Sequence, residues 1–205
     1  IVIDTENIKY VSGALLRDEA VGLRSGFPVN GRLPAQVTLD GTPESGFCIG
    51  FDTEAAPFAH TLRLVPRVVF LGVGCRKGTD EKTIEAAAQV ALDTAGVPWE
   101  AVCGIASIDV KQNEPGLLHF CETHGLSLNV FSAETLQSVS GDFTPSDFVA
   151  RTVGVDNVCE RAAVCAAAGG ALRCRKRAQN GVTVALAQRD WRADFDEKQL
   201  EDKKL

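Results

Sequence analysis

Residues 68–73, Val-Val-Phe-Leu-Gly-Val, are an unbroken apolar run of strand length. A strand with one wet face alternates apolar and polar side chains, so a run without alternation reads as a central strand of a parallel sheet, covered on both faces. The loop Gly74-Cys75-Arg76-Lys77-Gly78-Thr79 leads from it into a helical pattern, with Ile84, Ala87, Ala88, Ala91, Leu92 and Ala95 on one face. Thr79 is read as the N-cap, Asp80 and Glu81 fall in the electropositive first turn, and Gly96 with Pro98 ends the helix. The alternation continues, with strands at 103–110 and 126–131 and helices at 113–125, 132–139, 144–153 and 157–169. Residues 171–188 read as a closing hairpin around Asn180-Gly181. The fold class that follows is α/β: a three-layer α/β/α sandwich on a mostly parallel mixed sheet.

Upstream the texture differs. Residues 6–26 carry Ile8, Val11, Leu15, Leu16 and Ala20 at helical spacing, and Gly26-Phe27-Pro28 stops the pattern. Short alternating or apolar runs between Gly, Pro and Asp follow, as in a small α+β connector. The expected division is a connector over 1–65, the α/β domain over 66–189 and a charged tail over 190–205. Ile1 opens the chain and no methionine occurs, so a fragment of a longer protein is expected.

The 205 residues, 45% of them hydrophobic, suffice for one sizeable core. No run approaches the roughly 18 apolar residues of a membrane span, and no signal-peptide pattern opens the chain, so a cytoplasmic protein with no membrane partner is expected. Seven cysteines without a C-x-x-C pair, beside three histidines, suit reduced thiols and no zinc site. A net charge of −6 argues against nucleic acid as a partner. Within it, residues 151–177 are locally basic: Arg151, Arg161, Arg173, Arg175, Lys176 and Arg177 face only Asp156 and Glu160. Such a patch on an acidic protein selects a small anionic ligand.

Ligands of open α/β sheets bind beyond the carboxyl ends of strands. Four segments fall there. Gly72, Gly74, Cys75, Arg76, Lys77, Gly78 and Thr79 form a glycine-and-cation loop at a helix N-terminus, suited either to an anion or to a tight turn with two solvated cations. A thiol in that position, Cys75, is expected to have a lowered pKa, although no histidine base is near in sequence. Asp109, Lys111 and Glu114 group a general base with a cation for a developing oxyanion, or else are ordinary loop and cap residues. Arg151, Gly154 and Asn157 flank a helix start that offers free N–H groups or a purely structural cap. Lys176 is the cation of the basic hairpin chosen to reach a site, the alternative being a solvated edge strand.

In order, "LGVGCRKGT", "IASIDVKQNEPGL", "FSAETL", "FTPSDFVARTVGVDNVCERAAV" and "NGVTVALA" resemble the C-terminal domain of the CbiG family of cobalt-precorrin-5A hydrolases and the related CobE proteins, over roughly residues 66–187. Residues 1–65 resemble, more loosely, the middle segment of CbiG. The resemblance implies cobalamin biosynthesis by the anaerobic corrin route. The δ-lactone of cobalt-precorrin-5A would be opened and acetaldehyde released, giving cobalt-precorrin-5B. It also implies an anionic tetrapyrrole substrate that carries its own cobalt, no further cofactor, and an N-terminal domain of the same protein as partner; a homodimer stays open. On this reading Asp109 or Glu114 is the base, Lys111 or loop N–H groups the oxyanion donors, and Arg76, Lys77, Arg151 and Lys176 with the glycine loops hold the substrate's carboxylates. A non-catalytic corrinoid carrier of the CobE kind is the alternative, and an unrelated small-anion α/β enzyme the third.

Overall fold

The computed structural model describes residues 1–39, 41–145 and 157–196. The chain forms two compact units, one from Ile1–Pro66 joined by the stretch that starts at Trp191, the other from Arg67–Asp190.

In the first unit a 3-10 turn, Thr5–Asn7, runs into α1 (Ile8–Leu16), followed by β1 (Val21–Ser25), β2 (Val29–Asn30), β3 (Val37–Thr38), β4 (Ser45–Ile49) and β5 (His60–Leu64). The sheet order is β3-β1-β4-β5, with every pair parallel. The helix expected over 6–26 is thus shorter than its periodicity suggested. Asp18 takes φ +60°, which breaks the helix, and Val21 and Leu23 lie fully buried in the centre of the sheet. Pairing on both sides fixes β1 as a strand, in a segment that lies past the last residue of the helical spacing, Ala20, and before the Gly26 stop. Arg63 clamps Asp4 through Nε at 2.7 Å and Nη2 at 2.6 Å, and this guanidinium holds the Asp4 carboxyl below the usual range. Trp191 and Phe195, from the stretch read as charged tail, pack on the core of Val11, Leu23, Phe47 and Ala193, and β11 (Ala193–Asp194) pairs with β2.

The second unit contains β6 (Val69–Cys75), α2 (Glu81–Ala95), β7 (Val102–Ile108), α3 (Pro115–Thr123), β8 (Ser127–Phe131), α4 (Ala133–Ser138), α5 (Val158–Ala166), β9 (Ala171–Gln179) and β10 (Val182–Gln188). The sheet runs β8-β7-β6-β10-β9. β6, β7 and β8 are parallel, while β10 is antiparallel to β6 and β9, so the sheet is mixed. α2 packs with α3 and α5 with α4, giving the helical layers of an α/β/α sandwich. β6 is central and buried from Val69 to Val73, as its missing alternation requires. The α2 cap is Asp80 rather than Thr79: its carboxylate accepts the Thr83 N–H at 2.9 Å. Asn180 (φ +50°) and Gly181 (φ +81°) make the tight turn of the closing hairpin. The helix expected over 144–153 falls mostly on residues 146–156, outside the described residues. Among the described residues no helix is long and apolar enough to cross a membrane.

Candidate functional site

β6 and β7 bring their carboxyl ends to one edge of the sheet, where α3 and α5 begin. Because β10 runs antiparallel to β6, with Val182 opposite Cys75, the β9–β10 turn returns to the same edge. These parts line a cleft of about 800 Å³, within the usual range of about 300–1,000 Å³ for ligand pockets. Ile108, Val110, Val158 and Val182 give it an apolar wall. Among the described residues its charged lining is Arg76, Lys77, Lys111 and Lys176 against a single carboxylate, Glu114.

That carboxylate is already engaged. Glu114 Oε1 accepts the Gly78 N–H at 2.7 Å and Oε2 accepts Lys111 Nζ at 2.9 Å. Lys111 and the Gly78 N–H hold its carboxyl below the usual range, against the opposing effect of burial. Glu114 therefore straps the β6–α2 loop to the start of α3 and offsets the charge of Lys111. Arg76 and Lys77, exposed on that loop, make no side-chain hydrogen bond or ion pair with another described residue. On the α5 side, Asn157 is 1% exposed and caps the helix: Oδ1 accepts the Glu160 N–H at 2.9 Å, and Nδ2 donates to the Thr144 carbonyl at 2.7 Å. Lys176 Nζ donates to the carbonyls of Pro145 at 3.3 Å and Thr144 at 3.5 Å, and it faces no carboxylate among the described residues.

A family model described as cobalamin synthesis G C-terminus matches residues 69–187. The chain belongs to this family. A cobalt-precorrin-5A hydrolase of Priestia megaterium is 25% identical over 200 residues, which cover 89% of this chain and 53% of that protein. The cobalt-precorrin-5A hydrolase of Salmonella typhimurium is 33% identical over 135 residues, 66% of this chain and 38% of that protein. The crystal structure of CobE, a protein from the cobalamin (vitamin B12) biosynthetic pathway, superposes with a TM-score of 0.56 at 28% identity, over 60% of this chain and 91% of its own. The chain spans about half the length, or less, of these two hydrolases.

Within this cobalamin-synthesis domain the cleft brings together Gly74, Cys75, Arg76, Lys77, Lys111, Glu114, Asn157 and Lys176 of the residues singled out in the sequence. Gly72, Gly78, Thr79 and Asp109 are not among its lining, and Arg151 and Gly154 lie outside the described residues. Gly72 faces α5, where a Cβ would sit 1.8 Å from the Cys159 carbonyl oxygen, so it serves close packing and not anion approach. Thr79 turns back to its own loop, its hydroxyl donating to the Arg76 carbonyl at 2.8 Å. Asp109 opens the 3-10 turn Asp109–Lys111, half-buried, and its carboxylate makes no hydrogen bond with a described residue. The lowered Cys75 pKa expected from its position is reversed, because burial pushes the thiol up by more than Lys111 draws it down. Cys159 borders the cleft as well, and burial pushes its thiol up to about 12. Both thiols are protonated at neutral pH and neither is an activated nucleophile. Among the residues missed in the sequence, Val182 and Thr183 reach this edge only through the return of the hairpin, and Val158 through the packing of the start of α5.

The Glu114 strap has a consequence on the acid side. A carboxyl whose folded pKa is depressed stabilises the fold above its unfolded pKa, near 4.5 here, and that contribution is lost as pH falls through the lower folded value. Urea midpoints of the wild type are therefore expected to fall between pH 5 and 3 more steeply than those of Glu114→Gln. Parallel slopes would show that Glu114 is no strap.

Proposed function

We propose that this chain supplies the anion-binding part of a cobalt-precorrin-5A hydrolase, in which a lactone of the corrin precursor is opened by water and acetaldehyde leaves. The observation that carries the reading is the cleft: an apolar wall with four cations, one of them partly neutralised by Glu114, the one carboxylate among the described residues of its lining. A flat macrocycle fringed with acetates and propionates matches this pairing of surfaces, its ring on the apolar wall and its carboxylates toward Arg76, Lys77 and Lys176.

In the reaction, water adds to the lactone carbonyl, the ring C–O bond breaks, and a carboxylate and a hydroxyl result. Cleavage of the adjacent C–C bond then expels the two-carbon aldehyde. Lys111 and the loop N–H groups are the donors assigned to the oxyanion. Glu114 is a poor base because its proton affinity is lowered. Asp109, which has no competing partner among the described residues, is the remaining base of the group, reaching the substrate from beside the cleft.

Incubation of the protein with cobalt-precorrin-5A, with acetaldehyde followed through a coupled reductase, tests this directly. Acetaldehyde release that drops about 100-fold in Asp109→Asn, with substrate affinity unchanged, supports the assignment. Undiminished release in that variant removes Asp109 from the role. A second reading, a corrinoid carrier without turnover, is favoured by one specific feature: no carboxylate in the described lining of the cleft is free to act as a base. Binding of the precursor without acetaldehyde would decide for the carrier.

A further inference from the structure

Glu160, absent from the candidate residues of the sequence, is the largest anomaly of this unit. It is fully buried in the first turn of α5 and has no cationic partner among the described residues. An unpaired carboxylate removed from water costs several kcal/mol unless donors surround it. Three do: the Thr144 N–H at 2.8 Å, the Thr144 hydroxyl at 2.8 Å and the Lys176 N–H at 2.6 Å.

The last of these coincides with a break in the sheet. Val184 of β10 lies opposite Arg177, and Leu186 lies opposite Cys174, so two steps on β10 match three on β9. The extra residue is a bulge at Arg175-Lys176, facing Ala185. Its effect on direction can be followed through the register. Ala185 pairs with Gly72, whose open side faces Cys159 of α5, so Val184 and Leu186 look the other way, and with them Cys174 and Arg177. Strict alternation from Cys174 would place Lys176 on that far face too. The bulge turns it instead to the α5 face, where it joins Asn157, Val158 and Cys159 in lining the cleft. The N–H of this displaced residue goes to Glu160.

We propose that Glu160 is a positioning residue: by accepting the Lys176 N–H inside the β9 bulge, it fixes the turn that aims the Lys176 ammonium into the cleft as a specificity-determining contact for a ligand carboxylate. An apolar residue would fill the same volume without the desolvation cost, but it would leave the bulge N–H, and with it the Thr144 N–H and hydroxyl, without their acceptor. The inference rests on the anionic-corrinoid reading of the cleft.

The test is a double-mutant cycle with cobyrinic acid, a cobalt corrin bearing free peripheral carboxylates, and its methyl ester as probes, titrated by absorbance against the whole protein. Lys176→Ala is expected to weaken the acid about tenfold, one charged contact of about 1.4 kcal/mol, and to leave the ester unchanged. Glu160→Gln is expected to weaken the acid about as much when Lys176 is present and less than about twofold when it is Ala, because its effect passes through that ammonium. Glu160→Asp, which keeps the charge and withdraws it by one methylene, covers the case in which Glu160→Gln does not fold; it is expected to show the same dependence on Lys176. Equal losses in both backgrounds, with acid and ester affected alike, would reduce Glu160 to a brace of the fold and overturn the proposal while the cleft reading stands. A wild type that binds neither probe overturns the cleft reading, and this inference with it.

Discussion

Gly72→Ala is expected to destabilise the protein by about 3 kcal/mol, at or beyond the upper end of the usual 1–3 kcal/mol for overpacked cores. The added Cβ would lie 1.8 Å from the Cys159 oxygen, 2.8 Å from its carbonyl carbon and 2.9 Å from Ala163 Cβ. Two of these atoms are helix backbone, which a rotamer change cannot move. Relief requires shifting the first turn of α5 away from β6, and that turn carries Cys159 and Glu160 beside the cleft. For a chain of this length, such a loss lowers the melting temperature by about 6–12 °C. The same substitution separates two explanations of one glycine. Had Gly72 been needed for anion approach, alanine would reduce ligand affinity with the urea midpoint unchanged. A stability loss below about 1 kcal/mol would contradict the packing role of Gly72.

The second large effect is electrostatic. Charge reversal of the loop, Arg76→Glu with Lys77→Glu, is expected to weaken binding of a free-carboxylate corrinoid by about 100-fold, close to 3 kcal/mol for two cations lost and like charges introduced. The cost to folding is expected to stay within about 0.5 kcal/mol, because both side chains are exposed and make no hydrogen bond or ion pair with a described residue, the Lys77 charge acting on Glu114 only at longer range. Titration at two ionic strengths checks the origin: the gap between wild type and variant should narrow as salt rises, and the methyl ester should bind both proteins alike. Unchanged affinity for the acid would take the loop out of the site.

The loop shows how far local pattern carries. Its cations were visible as residues at a strand end, and they do line the cleft. The part assigned to Glu114 was not visible. A carboxylate three residues after a lysine reads equally as base, cap or ion pair, and only the approach of the Gly78 N–H from another loop decides that it is a strap. The Cys75 thiol shows the same limit. Its neighbours in sequence favour ionisation, whereas burial, a property of the assembled unit, disfavours it more strongly. In the first unit, the helical spacing ends at Ala20, and residues 21–25 fall within the expected helix only because the stop signal comes at Gly26; partner strands on both sides make them a strand.

By itself the sequence determined the alternation of buried strands and helices from residue 68 onward, the closing turn at Asn180-Gly181, and the family to which the domain belongs. These follow from periodicity, apolar content and short-range hydrogen bonding, which act over a few residues at a time. Tertiary structure alone decided which glycine packs and which borders the cleft, which carboxylate is engaged, and which way Lys176 points. Each of those depends on atoms far apart in the chain: Gly72 against Cys159, Gly78 against Glu114, the β9 bulge against α5. Burial and donor–acceptor geometry at such distances are set by the packing of whole elements, and no local pattern encodes them.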